Sequence, residues 1–543
     1  MRIGIDFDNT IACYDQLFCD VALKLGMLDA PVQESKVVLK QKILKQSSGD
    51  LAWQRLQGQV YGKYMHQAKV FFGFFEFLYL SKLRGCEVYI VSHKTQYGHF
   101  DEEKISLWDE ALAWLKLNGC IGQAGFVFSQ ANIFFEITRE SKIERITSLG
   151  CTHFIDDLLE VLQDQNFPSQ VQKILFCPSD QISKDLDSTP LMTAASWREI
   201  TSRIHGDWTE TEVCRVAQAK FPALGITRAE LRKGRGNSRI YKLTGTTSNY
   251  ALKIYPDRQR DSRPRLETEF SACHALFSDG YPVPRAVSKD ERLGWAVYSW
   301  IEGQQINRPS ESFFIDATQF IKRLYKDRAR LGAQFEFGSA TESCLTGQEL
   351  VEQIDRRLNA LRALQSDELF DFLETHLLPH YATCATRAKQ LCGDSFYTEL
   401  DPALQILSPS DFGAHNALLT ADQQIFFIDF EYFGWDDPAK LACDFYWHPG
   451  MKLSEDQQAQ WISFALGQFN NDPTFERRFN AYLPLYGIRW CLIVLKEFHQ
   501  EGAAARQHAG SHQPKDLKRI RDEQLNKAIL LLEQIKAVNC EHG

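Results

Sequence analysis

The sequence lacks the features that mark several classes of protein. Its 14 cysteines include no CxxC pair, so neither a zinc ribbon nor a thioredoxin-type motif is predicted, and we expect reduced thiols. The most apolar run, residues 70–80, contains Glu76 and is too short and too polar to span a bilayer. The net charge of −9 argues against a broadly basic nucleic-acid binder. We therefore expect a cytoplasmic protein whose partners include neither nucleic acid nor a membrane.

The sequence does contain enough apolar residues for more than one folded core. Hydrophobic residues make up 44% and charged residues 24% of 543 positions, which is the balance of a globular protein. A chain of this length exceeds one ordinary domain. The stretch 178–195 is polar, contains two prolines and lacks periodicity, and a closing helix is expected after it at 196–204. We predict two domains, residues 1–205 and 206–543.

The first domain alternates short apolar runs with helical patterns. The runs predict five buried strands, at residues 2–5, 87–91, 125–128, 152–155 and 174–176. This alternation predicts a parallel sheet with helices on both faces. In such sheets, ligands bind beyond the carboxyl ends of the strands. Candidate site residues are therefore the polar ones that follow each strand.

Acidic residues follow two of these strands. Asp6 and Asp8 come after the first strand, and Asp156 and Asp157 come after the fourth. Carboxylates that converge on one point need a cation, and their oxygen atoms suit Mg²⁺. The alternative is that these acids serve only as turn and helix N-cap residues. The pattern favours a magnesium site at the carboxyl edge of the sheet.

Two further residues can handle a phosphoryl group at the same edge. Ser92 ends the second strand and can donate to a phosphate oxygen, and Lys142 can neutralise charge. With these residues in place, the first domain resembles the haloacid dehalogenase superfamily of phosphatases. DFDNT matches the DxDx[TV] motif, YIVSHKT contains the second motif and FIDDLLEVL contains the fourth. For the third motif we favour Lys142, with Lys94 as the alternative.

The resemblance implies a fold and a role for each matching residue. The fold is a Rossmann-like α/β domain with a helical cap insert at about 15–70. Asp6 would attack phosphorus to form an aspartyl-phosphate, and Asp8 would protonate the leaving oxygen and then deprotonate water. Mg²⁺ would be held by Asp6, by Asp156 and by the main-chain carbonyl of Asp8, with Asp157 a further ligand or a residue behind the ligands. The phosphate-binding residues would be Thr10, Ser92 and Lys142.

The second domain begins with strand-like runs and continues into long helical patterns. Strands are expected within 230–243, 250–255 and 292–301, a helix at 265–279, helices from about 309 to 392 and a β-rich island at 406–430. Lys253 lies in the second strand and Glu269 in the first helix, with Glu267 as the alternative partner. A lysine held by a helical glutamate is how kinases grip nucleotide phosphates.

A glycine-bearing turn precedes this lysine. In KGRGNS, residues 233–238, backbone N–H groups can lie over a triphosphate, although Gly and Asn also mark ordinary hairpin turns. The nucleotide-binding residues predicted from the turn are Gly234, Gly236, Asn237 and Ser238.

Three polar residues downstream follow the pattern of a kinase catalytic core. Asn416 lies five positions after Asp411, and Asp429 follows one hairpin later. With them, the second domain resembles the aminoglycoside phosphotransferase and choline kinase family. Further matches are YPVPRAV, YSWIEGQQI and GWDDPAKLACDF. The resemblance implies a bilobal α+β protein-kinase-like domain that uses ATP and Mg²⁺, with lobes at about 206–305 and 306–543.

The family pattern also assigns roles within this core. Asp411 would orient or deprotonate the acceptor hydroxyl, and Asn416 and Asp429 would bind Mg²⁺. The family has a histidine two positions before the aspartate and another two after it, where this sequence has Pro409 and Gly413. His415 is a stand-in by proximity. A degenerate kinase fold used only for binding is the alternative.

The two resemblances together predict a bifunctional enzyme that acts on small molecules. A Mg²⁺-dependent phosphatase would be joined to an ATP-dependent kinase for a sugar or polyol hydroxyl, and together they would relocate a phosphate. One alternative is antibiotic phosphorylation, since the acids at 436, 437 and 444 would suit a cationic substrate. Another is a nucleotide-sensing module that regulates the phosphatase. No pattern indicates the oligomeric state.

Overall fold

The structure is a computed structural model, and it describes residues 1–46, 48–98, 103–122, 127–178, 191–232, 238–256, 261, 263–364, 366–498 and 517–541. The chain divides into two compact units, Met1–Lys220 and, beyond it, Phe221–Pro256 with Arg263–Gly543. The division follows Lys220, one helix later than the boundary at 205/206 that the sequence predicts.

A six-stranded parallel sheet forms the centre of the first unit, in the order β5-β4-β1-β6-β7-β8. Its strands and one short hairpin are β1 (Arg2–Ile5), β2 (Ala12–Cys13), β3 (Lys69–Val70), β4 (Glu87–His93), β5 (Ile133–Glu136), β6 (His153–Asp156), β7 (Gln172–Phe176) and β8 (Met192–Ala194). The hairpin pairs β2 with β3. The strand order reverses at β1, so the carboxyl ends of β4, β1 and β6 border the crevice where ligands bind in open sheets.

The helices of the first unit are α1 (Asp15–Lys24), α2 (Lys36–Leu44), α3 (Gly49–Tyr61), α4 (Phe74–Leu83), α5 (Leu107–Leu117), α6 (Arg139–Ser148), α7 (Leu159–Leu162), α8 (Trp197–His205) and α9 (Glu210–Lys220). Helices α1 to α3 lie between the two strands of the hairpin, where the sequence predicts a cap insert. Apolar residues of β1, β4 and β6 are buried in the core, among them Ile3, Ile5 and Ile90, and helices α4 and α6 pack against β4.

The structure corrects two strand predictions in this unit. The third strand was expected at residues 125–128, but it is β5, further along the chain. Residues 123–126 lie outside the described residues, and Phe128 makes only an isolated bridge with Ile121. The segment 178–195 was predicted to be a loop, yet its last residues form β8 beside β7. β8 has only three residues, too few to show a period in the sequence.

The second unit combines an antiparallel sheet with a larger helical part. Its strands are β9 (Arg228–Arg232), β10 (Arg239–Thr244), β11 (Asn249–Ile254), β12 (Ala286–Asp290), β13 (Trp295–Ser299), β14 (Gly303–Gln305), β15 (Ile406–Ser408), β16 (Ala417–Thr420), β17 (Ile425–Phe427) and β18 (Gly434–Asp436). Five of them form a sheet in the order β12-β13-β11-β10-β9, three form β14-β16-β17, and β15 pairs with β18.

The helices of the second unit are α10 (Arg265–Ser278), α11 (Glu311–Phe335), α12 (Gly347–Arg362), α13 (Asp367–Asp371), α14 (Leu378–Cys392), α15 (Pro438–Trp447), α16 (Glu455–Gln468), α17 (Phe475–Val494) and α18 (Leu517–Glu541). A π-helical turn, Phe372–Leu377, joins α13 to α14. Helix α15 is buried along its whole length, and helices α14, α15 and α18 pack around α17. Within the described part of the chain, no helix has both the length and the apolar character needed to cross a membrane.

Candidate active sites

The predicted acids of the first unit meet at the carboxyl edge of the sheet. Asp6 directly follows β1 and Asp156 ends β6, the neighbouring strand. The Asp6 amide donates to the Ile155 carbonyl at 2.9 Å, which continues the ladder by one residue and places the two carboxylates side by side. Asp6 is 5% and Asp156 0% exposed, so neither charge is satisfied by bulk water. A counter-charge is therefore required at this point.

Lys142 supplies that charge. Its Nζ lies 2.6 Å from Asp6 Oδ1 and 2.7 Å from Asp156 Oδ2, and the lysine is 1% exposed. It lies in the first turn of α6, where Thr138 caps the helix and fixes the direction from which the lysine enters. Lys94, the alternative for the third motif, contacts Asp8 instead, at 2.9 Å. The geometry thus assigns the two lysines to different acids.

One lysine does not balance the negative charge here. Burial raises the pKa of Asp6 to about 7 against the opposing effect of Lys142, and the nearby charge of Asp156 raises it further. Burial and the same two acids also raise the pKa of Asp157 well above its usual value. Oxygen atoms of the three carboxylates lie within 4.8 Å of one another. This donor set fits a hard divalent cation such as Mg²⁺, with Asp157 close enough to join it.

Asp8 faces two hydrogen-bond donors that the sequence did not connect to it. The Tyr14 hydroxyl donates to Asp8 Oδ1 at 2.6 Å, and Lys94 Nζ contacts both carboxylate oxygens. Asn9, with φ of 55°, turns the chain directly after Asp8. Tyr14 could not be predicted as a site residue because it belongs to the start of the insert and carries no motif.

Two predicted phosphate ligands lie at this edge with unsatisfied hydroxyls. Thr10 and Ser92 are 0% and 1% exposed, and among the described residues neither Oγ has a hydrogen-bond partner. A buried hydroxyl without a partner costs free energy, so such groups call for an explanation. A phosphate oxygen that accepts from each hydroxyl would provide one, as the sequence predicts.

The insert reaches the site through aromatic and basic side chains. Lys94 Nζ lies 4.9 Å from the centre of the Tyr61 ring, whose edge packs on Tyr14. Lys36 donates to the Tyr61 hydroxyl at 2.8 Å. Burial acts to lower the pKa of Lys36, but its interaction with the Tyr61 hydroxyl, followed by the charges of Asp157 and Asp8, raises it. The α1–α3 insert therefore adds positive charge close to the carboxylates, as a cap over an anionic substrate would.

In the second unit, Lys253 is the centre of a similar cluster. Its Nζ lies 2.6 Å from Glu269 Oε2, 2.6 Å from Asp429 Oδ1 and 3.2 Å from Glu431 Oε2. Strand β11 presents the lysine and α10 presents Glu269, so of the two candidate glutamates Glu269 makes the ion pair. Tyr255 donates to the same Glu269 oxygen at 2.6 Å. The structure thus brings Asp429 to Lys253 across 176 positions of the chain.

Glu431 is a site residue that the sequence analysis missed. It pairs with both Lys253 and Arg265, and its signal in the sequence is an acid two positions after Asp429. Burial raises the pKa of Asp429 to about 7, opposed by Lys253 and reinforced by Glu431 and Glu269. Oxygen atoms of the three acids lie within 4.8 Å of one another, and this donor set also fits Mg²⁺.

Asp411 lies apart from this cluster and contacts two histidines. His415 Nε2 is 2.9 Å and His448 Nε2 is 3.3 Å from Asp411 Oδ1, and the two imidazole rings stack at 3.8 Å. Burial works to raise the pKa of Asp411, but the hydrogen bonds from both histidines hold it well below its usual range. Two histidines, His415 and His448, therefore contact Asp411, although Pro409 and Gly413 stand at the two positions where the family has histidine. His448 was missed because it lies on another element, just beyond α15.

Asn416 links Asp411 to the segment that carries Asp429. The side-chain Nδ2 of Asn416 donates to the main-chain carbonyl of Asp411 at 2.9 Å and lies 3.3 Å from the Asp411 carboxylate. The main-chain carbonyl of Asn416 accepts from the Ile428 amide at 2.9 Å. Asp429, the next residue, has φ of 69°, and Ser410 has φ of 65°. Left-handed backbone at residues other than glycine is costly and is found at functional sites.

The remaining predicted nucleotide ligands are only partly covered by the structure. Gly234, Gly236 and Asn237 lie outside the described residues. Ser238 is 6% exposed, and its Oγ has no hydrogen-bond partner within the described part of the chain. It precedes β10, which pairs with the strand that bears Lys253. Residues 298–302, which begin the YSWIEGQQI match, end β13 and lead into β14.

The acids that were expected to suit a cationic substrate are engaged inside the protein. Asp436 pairs with Lys440 at 2.8 Å, and Asp444 lies 3.3 Å from the same lysine. The three acids and their partner cations are all buried. The remaining pairs are Asp437 with Arg478 and Asp444 with Arg489. The expectation is therefore wrong for these residues, because each has an internal cation as its partner.

The second unit is similar to known phosphotransferases. A sequence model of the phosphotransferase enzyme family matches residues 227–479. This match supports a kinase-like phosphotransferase domain at residues 227–479. No curated protein matches the chain. The family match begins beyond the first unit, so the function of that unit rests on its geometry.

Solved structures similar to the chain, each 13% identical, include three enzymes. Spectinomycin phosphotransferase APH(9)-Ia, in complex with ADP and spectinomycin, covers 59% of this chain and 99% of its own, with a TM-score of 0.40. Choline kinase LicA from Streptococcus pneumoniae covers 59% and 98%, with a TM-score of 0.35. An ethanolamine kinase from Plasmodium vivax covers 62% and 94%, with a TM-score of 0.40.

Proposed function

We propose that the second unit is an ATP-dependent kinase that phosphorylates a hydroxyl group of a small molecule, a sugar or polyol. The observation that carries the proposal is the pairing of Lys253 with both Glu269 and Asp429, next to a separate aspartate, Asp411, with a low pKa. The lysine would contact nucleotide phosphates. Mg²⁺, held by Asp429 and Asn416 with Glu431 nearby, would neutralise charge on the β- and γ-phosphates.

Asp411 is the group that would act on the acceptor. It would accept the proton of the acceptor hydroxyl as the acceptor oxygen bonds to the γ-phosphorus. The bond from that phosphorus to the bridging oxygen would break, and ADP would leave. His415 and His448 would hold the Asp411 carboxylate in one orientation. Asn416 would connect Asp411 to the segment that carries Asp429 and so fix the position of the base relative to the metal ligand.

For the first unit we propose a Mg²⁺-dependent phosphatase of the haloacid dehalogenase type. The observation that carries it is Lys142 held between Asp6 and Asp156 at the sheet edge, beside the unsatisfied hydroxyls of Thr10 and Ser92. Mg²⁺ would offset the remaining negative charge of the carboxylates and of the substrate phosphate.

The two carboxylates after β1 would divide the chemistry. Asp6 would attack phosphorus, and the bond to the leaving oxygen would break as protonated Asp8 gives that oxygen its proton. Asp8 would then take a proton from water as the water oxygen bonds to phosphorus, which releases phosphate and restores Asp6. Tyr14 and Lys94 bond to Asp8 as they would to an ionised carboxylate, the form required for the second step.

Two such activities in one chain support a bifunctional enzyme that adds a phosphate at one hydroxyl and removes one at another. One experiment tests both parts. The full chain is incubated with ATP, Mg²⁺ and a library of sugars and sugar phosphates, and products are measured by mass spectrometry. Mass gains report the kinase and mass losses report the phosphatase.

Variants Asp411→Asn and Asp6→Asn serve as matched controls, since each removes one activity only. Antibiotic phosphorylation predicts gains only on added aminoglycosides. A nucleotide-sensing module predicts ATP binding without any gain. If neither gains nor losses occur and ATP does not bind, the proposed function is wrong.

A further inference from the structure

A cavity of about 610 Å³ opens beside Asp411 in the second unit. Ser410, Asp411 and His448 line it on the side of the base, whereas Lys253 and Asp429 are not part of its lining. The cavity therefore lies on the acceptor side of the site rather than the nucleotide side. Its volume is in the range of small-molecule sites.

The lining of this cavity is rich in cations. Among the residues that the structure describes, five arginines and one lysine contribute to it: Arg263, Arg265, Arg356, Arg357, Arg489 and Lys496. The acidic residues of the described lining are Glu342, Asp411 and Asp444. This excess of positive charge is local, because the whole chain carries −9. The charge of the lining is therefore opposite in sign to the net charge of the chain.

The acids of the lining do not leave negative charge for a cationic ligand. Glu342 contacts both Arg357 and Arg489, and the two arginines hold its pKa at about 2 in spite of its burial. Asp444 is paired with Arg489 at 3.0 Å and also accepts from the Trp490 indole at 2.9 Å. Asp411 is the base. Each acid thus has a partner or a role within the protein.

Arg356 is the clearest free donor of the group. It is exposed on α12, one position before Arg357, and among the described residues it has no ion-pair partner. Arg357 and Arg489 lie on the same lining, oriented by Glu342. Guanidinium groups match carboxylate and phosphate oxygens in bidentate geometry, which suits arginine more than lysine. The composition of the lining therefore matches an anionic group.

We propose that the acceptor of the kinase is an anion: a hydroxyl compound that also carries a phosphomonoester or carboxylate group, bound by the arginines of this cavity. The inference rests on the proposed kinase function and specifies its substrate class. In the reaction, the acceptor hydroxyl would lose its proton to Asp411 and form the new oxygen–phosphorus bond, while ADP leaves. The anionic group would not react; it would anchor the acceptor with its hydroxyl at Asp411. An aminoglycoside or another amine would meet repulsion from the same arginines.

A matched set of ligands tests this proposal. Glucose, gluconate, glucose 6-phosphate and glucosamine have similar hydroxyl groups and differ in charge. Binding of each to the full chain with Asp6→Asn, saturated with ADP and Mg²⁺, is measured by calorimetry, and transfer from ATP is measured with radiolabel. We expect gluconate or glucose 6-phosphate to bind at least tenfold more tightly than glucose, with glucosamine weakest. The two anions distinguish a carboxylate from a phosphate.

The comparison of Arg356→Gln with Arg362→Gln shows how much of the anion affinity comes from the cavity. Arg362 lies on the same helix, pairs with Glu374 and does not line the cavity. Loss of one charged hydrogen bond should weaken anion binding about tenfold in Arg356→Gln, with ADP affinity unchanged, and Arg362→Gln should match the parent. Any phosphate compound that binds in the first unit contributes equally to the measured affinity of both variants and therefore does not affect the comparison.

Preferential binding of glucose or glucosamine, or equal anion affinity in both variants, would overturn the inference while leaving the kinase proposal intact. Failure to bind ADP would instead contradict the kinase proposal itself.

Discussion

The two candidate sites hold a buried lysine in similar ways and differ in what surrounds it. Lys142 lies 2.6 and 2.7 Å from two carboxylates, and Lys253 lies 2.6 Å from two. In the first unit the paired acids are 7% and 0% exposed at their side chains, whereas Asp429 in the second is 33% exposed. The first cluster is closed, and the second is open on one side.

The position of the proposed base differs as well. Asp8 follows Asp6 by two residues, so the proposed nucleophile and the proposed base come from one turn at the end of one strand. Asp411 lies on a different segment from Lys253 and is oriented by two histidines. We infer that a site which forms a bond to its own carboxylate benefits from a single rigid edge. A site that transfers a group between two ligands needs a separate binding surface for each ligand, because both must enter and leave.

The largest effect is expected for Asp6→Asn. This change keeps the shape of the side chain and removes the nucleophilic carboxylate, so phosphate release should fall by about 10⁴-fold or more. Transfer from ATP by the second unit should stay at the parental rate. Release of phosphate from a sugar phosphate panel measures the first activity and radiolabelled ATP the second. An Asp6→Asn protein that still releases phosphate would remove the phosphatase assignment.

A somewhat smaller loss is expected for Asp411→Asn. General-base catalysis contributes about 10²–10⁴-fold, so transfer should fall by that factor. ATP affinity, measured by calorimetry, should not change, because Asp411 would contact the acceptor and not the nucleotide. The matched variant Asp429→Ala should lose metal-dependent ATP binding instead. If Asp411→Asn transfers phosphate at the parental rate, the base lies elsewhere.

The two lysines should differ in their effect on stability. Lys142→Met leaves two buried acids without their cation, which should cost about 3–5 kcal/mol of unfolding free energy. Lys253→Met should cost less, since Glu431 keeps Arg265, Glu269 keeps Tyr255 and Asp429 reaches solvent. Urea unfolding of both variants measures the difference, with Lys142→Arg as a charge-preserving control. Equal costs would contradict the contrast between a closed and an open cluster.

The same contrast explains what the sequence predicts and what it does not. The strand ends of the first unit could be located from short apolar runs, because in a parallel sheet those ends share one edge. Lys142 could be proposed on this basis, but its choice over Lys94 required the geometry. Tyr14 could not be found, since nothing local to it indicates that the insert folds back onto Asp8.

In the second unit the kinase pattern identified Lys253, Asp411 and Asp429, yet missed the residues contributed by other elements. His448 approaches Asp411 from a segment 37 residues away, and no spacing rule connects them. Glu431 lies two positions after a predicted ligand but is not part of the pattern. The acids at 436, 437 and 444 were visible in the sequence, but their internal partners, Lys440, Arg478 and Arg489, could be recognised only in the structure.

The boundary between the units can be tested with fragments. Helix α9 packs on α4 and buries Val213 and Val216, and Glu212 pairs with Arg84 at 2.8 Å. A fragment of residues 1–220 should therefore be more stable than a fragment of residues 1–205, by about 3 kcal/mol for two buried valines. Urea unfolding of both fragments measures this difference. Equal stability would favour the boundary at 205/206, and loss of activity in both halves would indicate that they depend on each other.

The smallest predicted effect uses acid to weaken one contact of α8 inside the first unit. Burial, followed by the nearby charge of Arg84, lowers the pKa of His205 from 6.5 to about 4, against the opposing charge of Glu212. His205 Nε2 and the Ser81 hydroxyl are hydrogen-bonded at 2.8 Å, and a neutral ring can accept the hydroxyl proton. Because the unfolded chain binds the proton more readily, this contribution is complete above about pH 6.5 and is lost as the pH falls toward 4. Half-exposure of the ring keeps the loss below about 1 kcal/mol per pH unit.

The measurement compares the 1–220 fragment with its His205→Gln variant, which cannot titrate but retains an oxygen that can accept from Ser81. Urea midpoints are recorded at intervals from pH 7.5 to 5.0. The parental fragment should lose more stability than the variant as the pH falls below 6.5, and the two should run parallel above it. His153 lies near enough to add to the slope in both proteins and therefore cancels in the difference. Parallel curves over the whole range would mean that His205 is solvated in the folded state, and that the contact between α8 and the Arg84–Glu212 pair is looser than the distances indicate.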